Sequence, residues 1–140
     1  MNNSPKAIGE QSEGMILAAL LRAGEVVLQP FGDNQRYDLV VDRNGTFVRI
    51  QCKTGRVKDG AVIFHTCSMH YHRGKGKQSY HHQADLFGVY VPELDRSFLV
   101  PVEDVPSRMG TLRLEPPKNG QVKGIRMAAK YEFQAGVAQR

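Results

Sequence analysis

The run "RYDLVVDRNGTFVRIQCKTG", residues 36–55, constrains the fold more than any other part of this chain. Two β-branched and aliphatic stretches, residues 37–41 and 46–54, flank a turn over Asp42-Arg43-Asn44-Gly45. Asn-Gly favours the type I′ geometry that matches strand twist, so the segment reads as a β-hairpin. Side chains two apart share one face of a strand. Val48, Ile50 and Cys52 therefore point into a core, and Arg49, Gln51 and Lys53 point the other way. An antiparallel hairpin can lay Gln51 and Lys53 close to Asp38. Each of these polar residues has a plain alternative: Asp38 as a turn cap, Lys53 snorkelling from a sheet edge, Gln51 simply exposed. It is their convergence that points to chemistry.

Upstream, Ser4-Pro5 is a helix start, with serine at the N-cap and proline where its missing N–H costs nothing. The spacing predicts a helix through "KAIGEQSEGMILAALLRA" that Gly24 terminates. Glu13, Leu17 and Leu20 recur at helical spacing, which places Glu13 at the upper end of a core-facing stripe. An acid aimed along a buried side is unusual. Glu10 precedes it by one turn and is read as an accessory acid or a solvated one.

"EVVLQP" reads as a short strand ended by Pro30, and "FGDNQR" as a loop of turn formers. A further strand is expected at 61–66, with a polar loop over "SMHYHRGKGKQSYHHQ". "ADLFGVYVPEL" and "RSFLVPVEDV" read as two strands paired through a turn at residues 93–95, and residues 127–133 as a short helix. One helix followed by a mixed sheet with hairpins gives an α/β or α+β domain. At 140 residues, with a core over about 5–133, a single domain is expected.

Charge enters through its distribution. Residues 43–82 carry eight basic side chains (Arg43, Arg49, Lys53, Arg56, Lys58, Arg73, Lys75, Lys77) against Asp59 alone, while residues 1–42 carry three basic and six acidic ones. Such asymmetry suggests one face built to meet phosphates, the alternative being a solvated basic loop. Arg36, Arg49, Arg56 and Lys58 flank the hairpin residues, and "HRGKGK" adds Arg73, Lys75 and Lys77 as DNA-binding candidates. Cys52 and Cys67 have no CxxC partner and read as reduced, packed thiols. A zinc site from His65, Cys67, His70 and His72 is disfavoured, because it would split its ligands between strand and loop. No apolar run reaches the ~18 residues of a membrane span, and the N-terminus has no signal-peptide pattern. The expected location is cytoplasmic.

Hydrolysing a phosphodiester calls for a divalent cation on oxygen ligands, an activated water and stabilisation of the developing charge. Carboxylates and amide carbonyls suit Mg²⁺, and a lysine beside it can orient water or hold negative charge. Glu13, Asp38, Gln51 and Lys53 supply those parts.

At these residues the chain resembles a known family. "YDLVV…IQCK", preceded by the helix acid of "GEQSEG", is similar to the PD-(D/E)XK nuclease superfamily. With the "PFGDN" loop and "ADLFGVYVPELDRSFLVPVEDV", it looks like the branch of small group I intron-encoded homing endonucleases known from cyanobacteria. The resemblance spans roughly residues 6–133. It implies a restriction-endonuclease-like core, with the N-terminal helix packed on a central mixed β-sheet. It implies that Asp38 binds metal as the first acid, that Lys53 is the superfamily lysine, and that Glu13, four residues after Gly9, orients metal or water. Gln51 stands where the superfamily has its second acid, a departure that removes one negative charge. Tyr37 replaces the proline of the motif. The implied activity is Mg²⁺-dependent cleavage of double-stranded DNA, with Mn²⁺ able to substitute, by a sequence-specific homodimer or homotetramer. A structure-specific nuclease of the junction-resolvase kind, and a DNA-binding module without catalysis, are the alternatives.

Overall fold

Ser4 closes the first helical turn as its place before a proline dictates, its hydroxyl accepting the Ala7 amide at 3.2 Å. The computed structural model describes residues 3–32, 35–70 and 76–133. Helix α1 (Pro5–Arg22) ends at Ala23, and Gly24 follows at φ +83°, the left-handed position a C-terminal glycine fills without a Cβ clash. The buried residues of α1 are Ser12, Ile16 and Leu20. The core stripe is thus rotated from the expected Glu13, Leu17 and Leu20, and Glu13 and Leu17 lie half-buried on its flank. Close approach explains the rotation. Ser12 Oγ hydrogen-bonds Thr54 Oγ1 at 2.6 Å, and Ile16 sits directly over a glycine of the sheet, Gly88.

The strands are β1 (Val26–Leu28), β2 (Leu39–Arg43), β3 (Thr46–Thr54), β4 (Arg56–Lys58), β5 (Ala61–His65), β6 (Cys67–His70), β7 (Gly76–Ser79), β8 (Leu86–Val91), β9 (Arg96–Pro101), β10 (Met109–Arg113) and β11 (Glu132–Phe133). The main sheet runs β1-β2-β3-β8-β9-β11, mixed because β3 and β8 pair in parallel while the other neighbours are antiparallel. The β2–β3 hairpin forms as read, with Arg43 opposite Thr46 and both loop residues at positive φ, Asn44 at 54° and Gly45 at 90°. The β8–β9 hairpin also forms as read.

Two cores follow from strand alternation. Leu39, Val41 and Ile50 join Ile16, Leu20, Leu99 and Phe133 on the helix side, with Val48 and Cys52 packed against them as expected. On the opposite face Phe87, Val89, Val91, Phe98 and Val100 meet Val62, Phe64 and Leu112 of a second sheet, β10-β5-β4. A Cβ on Gly88 would lie 3.0 Å from Ile16 Cγ2 and 3.1 Å from Ile50 Cγ2. Gly88→Val should therefore overpack the helix–sheet contact and lower stability by about 1–3 kcal/mol, read from the urea midpoint.

Three expectations need correction. The stretch from residue 68 to 83 is not all loop: β6 and β7 pair as a separate two-stranded antiparallel sheet. The sequence of this stretch has no apolar alternation, so hydrophobic periodicity carries no strand signal there. Residues 127–133 are not a helix but a 3-10 turn, Ala128–Lys130, leading into β11. The Tyr131 carbonyl accepts the Leu99 amide at 2.9 Å and Phe133 is buried, so pairing with β9 outweighs local helix propensity. β2 starts at Leu39 rather than Tyr37, although the Asp38 amide still donates to Ile50 O at 2.8 Å.

Candidate active site

β2 starts at Leu39, opposite Ile50, and just before it the Asp38 side chain takes up the next free amide of β3. Asp38 Oδ2 accepts the Cys52 N–H at 2.8 Å, which pins the carboxylate against the edge of β3. Gln51 Nε2 donates to the Cys52 carbonyl at 3.3 Å. A carboxylate and an amide thus gather around the two polar groups of one residue. Rotating the Gln51 amide by half a turn presents its oxygen at the same place. The Cys52 main chain was not among the candidate residues. The register of the β2–β3 pair ends at Leu39 and Ile50, which leaves Cys52 without a strand partner on the β2 side.

Glu13 reaches this carboxylate from α1. Glu13 and Asp38 line one cavity of about 270 Å³, together with Gln29, Pro30, Gly32, Gln35 and Tyr37. Burial, then the charges of Asp38 and Glu10, push the Glu13 carboxyl above its ordinary range. Burial also raises the Asp38 carboxyl, against the opposing pull of the Cys52 N–H and the Lys53 ammonium. Glu10 itself is exposed and acts on the site through its charge. Burial drives the Cys52 thiol strongly upward, with Asp38 and Glu13 adding to it, so the thiol is no nucleophile.

Lys53 lies on the face of β3 opposite α1, beside Gln51. Its Nζ donates to Cys67 O at 3.3 Å and to Tyr80 Oη at 3.4 Å, and stands 4.7 Å from the Tyr80 ring centroid. Each of the other three expected residues is thus linked to Asp38: Glu13 lines the same cavity, which neither Gln51 nor Lys53 lines, Gln51 shares the Cys52 peptide with it, and the Lys53 charge acts on it.

This donor set fits a hard divalent cation. Burial is the leading cause that raises both carboxyls, and at Glu13 the charges of Asp38 and Glu10 add to it, so a bound cation would favour the ionised form of each. The neighbouring amide and carbonyl are oxygen donors of the kind Mg²⁺ takes. Among the described residues, no group of three or more His, Cys, Asp or Glu side chains is placed to hold a metal. Beside the two carboxylates, the oxygen donors near Asp38 are the Gln51 amide and the Cys52 carbonyl. Of the zinc candidates, His65 is exposed, Cys67 Sγ turns to Arg108 O at 3.8 Å, and His72 lies outside the described residues.

The basic candidates divide. Arg36 stacks 3.9 Å over the Tyr80 ring and donates to Gln83 Oε1 at 2.5 Å and to Ser68 Oγ. Arg49 makes a forked pair with Asp85, at 3.1 and 3.2 Å, on the wall of a larger cavity of about 530 Å³ that none of the four central residues lines. Arg56 and Lys58 are exposed on β4. Arg73 and Lys75 lie outside the described residues, and Lys77 is placed on β7 by its backbone alone.

The Arg49 pair makes a pH prediction. The hydrogen bond from the Arg49 side chain holds the Asp85 carboxyl below its ordinary range. A carboxyl lowered in the folded state stabilises above its unfolded value of about 3.9 and loses that contribution as pH falls through its folded value. Asp85→Asn should lower stability at pH 7 and converge on wild type in strong acid, measured as urea midpoints across the range.

The chain was compared with known proteins. The family described as PD-(D/E)XK endonuclease matches residues 3–134. Among solved structures the chain is similar to a bacterial homing endonuclease, I-Ssp6803I, with 22% identity, 94% of this chain and 88% of that one covered, and a TM-score of 0.66. It also matches a Holliday junction resolvase, Archaeoglobus fulgidus Hjc from an archaeal hyperthermophile, at 16% identity, 94% and 98% coverage and a TM-score of 0.45. No curated protein matches it. At such identity the first likeness establishes a shared fold: one helix on a mixed sheet, the restriction-endonuclease-like α/β core.

Proposed function

This chain belongs to the PD-(D/E)XK endonuclease family, and from that premise we propose that it is a Mg²⁺-dependent endonuclease hydrolysing phosphodiester bonds in double-stranded DNA at specific sites. The observation that carries the reading is the anchored Asp38 carboxylate lining one cavity with Glu13, with the Lys53 charge acting on Asp38. Asp38, Glu13, the Gln51 amide oxygen and the Cys52 carbonyl are the ligands, with Mn²⁺ an acceptable substitute. The bound cation would polarise a phosphoryl oxygen and make its own water more acidic.

The chain's own groups do the rest. Asp38 is held by the Cys52 N–H, so it meets the cation without reorganising. Gln51 contributes an oxygen without charge, which weakens cation affinity relative to a third carboxylate. Lys53 offers an N–H hydrogen bond to the attacking water or to the non-bridging oxygen on which charge accumulates. Arg56, Lys58, Arg73, Lys75 and Lys77 are the phosphate contacts, each weakening binding as salt rises. Arg36 and Arg49, already committed to Tyr80 and Asp85, shape the walls of the DNA-binding face.

One site cuts one strand. A double-strand cut therefore uses at least two copies, as a homodimer or homotetramer on a roughly palindromic target. The test is incubation with a plasmid library and Mg²⁺ followed by sequencing of the ends. A recurrent cut motif supports site-specific use. Cutting confined to four-way junctions moves the assignment to a structure-specific nuclease. No Mg²⁺-dependent cutting of any DNA leaves a binding module.

A further inference from the structure

Tyr80 is almost fully buried, 4% exposed, yet two cations meet its ring: Lys53 from β3 and Arg36 from the segment before β2. We propose that Tyr80 is a positioning residue for Lys53, and that the root of the β6–β7 hairpin is the seat in which that lysine is held; this rests on the nuclease reading above. The argument is geometric. A lysine has four rotatable side-chain bonds and loses substantial freedom when fixed. Here three groups fix it: the Cys67 carbonyl at 3.3 Å, the Tyr80 hydroxyl at 3.4 Å and the Tyr80 ring, whose centroid is 4.7 Å away. None of the three is a carboxylate. The ammonium is therefore held without being neutralised, and its full charge remains available to Asp38 and to substrate.

The ring cannot drift, because Phe87 meets it edge-on at 5.6 Å and 90° from within the core. Both ends of the hairpin share in the seat. Cys67 and Ser68 lie where β6 begins, and Tyr80 and Gln83 lie just after β7. Arg36 ties the two together by donating to Ser68 and to Gln83 while stacking on Tyr80.

The test uses the full chain labelled with ¹³C at lysine Cε, the Lys53 signal being assigned by its loss in Lys53→Arg, alongside single-turnover cleavage in Mg²⁺. In wild type the Lys53 signal should stand apart from the exposed lysines, shifted by the ring current of Tyr80. Tyr80→Leu should return it among them and lower the cleavage rate about 10- to 100-fold at unchanged DNA affinity. Tyr80→Phe, which keeps the ring and its packing, should retain the shifted signal and most of the rate. The proposal is overturned by a folded Tyr80→Leu with an unmoved signal or a wild-type rate. Where Tyr80→Leu does not fold, a Tyr80→Phe protein whose Lys53 signal lies among the exposed lysines overturns it equally. A shifted wild-type signal in a protein that cuts no DNA supports the seat and rejects the nuclease reading, so the two fail separately.

Discussion

Lys53→Ala should lower the single-turnover cleavage rate about 10²–10³-fold, the scale expected when one donor aimed at developing charge is removed. The fold should survive the change. Lys53 is half-buried, and its partners are a main-chain carbonyl, Cys67 O, and the hydroxyl of Tyr80, whose ring stays packed on Phe87. DNA affinity should move little, because one phosphate contact among several is a small part of the electrostatic total. Lys53→Arg should not restore the rate. A planar guanidinium spreads the charge that an ammonium concentrates at one point, and its longer reach carries it past the Tyr80 seat. A Lys53→Ala protein that cuts within a few-fold of wild type would remove Lys53 from the chemistry.

The second large effect concerns Asp38 and the cation. In metal-free protein, Asp38→Asn should be at least as stable as wild type, which is the reverse of what losing an anchored carboxylate ordinarily does. Both Asp38 and Glu13 have raised carboxyl pKa values, with burial the leading cause and their mutual repulsion adding at Glu13. A carboxyl raised in the folded state destabilises above its folded value, and that penalty disappears as pH falls below its unfolded value. The sign is opposite to that of Asp85. Asparagine removes the charge and keeps an oxygen that can accept the Cys52 N–H. Adding Mg²⁺ or Ca²⁺ should then separate the two proteins the other way. Cation at about 100 times its dissociation constant stabilises wild type by about 2.7 kcal/mol. That is a rise in Tm of several degrees at about 3 °C per kcal/mol. Asp38→Asn, with one of two charged ligands gone, should show little rise. Equal shifts in both proteins would place the cation elsewhere.

How far such a site can be read from a chain is best judged residue by residue. Asn44-Gly45 determined a two-residue turn, and from that the register that sets Asp38 opposite Gln51 followed by counting alone. Alternation then sorted Ile50 and Cys52 from Gln51 and Lys53 without error. Local rules sufficed because the hairpin is local. Glu13 was found for a reason that proved only half right: it lies on the flank of the buried stripe of α1, since the contact of Ile16 with Gly88 decides which side of the helix faces the sheet. That contact joins residues far apart in sequence, beyond the reach of any helical period. The Cys52 carbonyl was invisible because main-chain groups carry no residue-type signal. The pairing of Tyr80 with Lys53 depends on β6 and β7 forming a ribbon that no apolar pattern announces.

The central claim is that an acid from α1, an acid at the start of β2 and the last residues of β3 meet one divalent cation. Iron-mediated self-cleavage tests it without DNA. Fe²⁺ replaces Mg²⁺, ascorbate and peroxide generate hydroxyl radicals at the bound ion, and mass spectrometry locates the breaks in the backbone. The expected pattern is three clusters of cuts in one sample, near Glu13, near Asp38 and across residues 51–53, all suppressed by excess Mg²⁺ and absent in Asp38→Asn. Cuts confined to one of those segments, or clustered around His81 and Glu103 at the larger cavity, would contradict it.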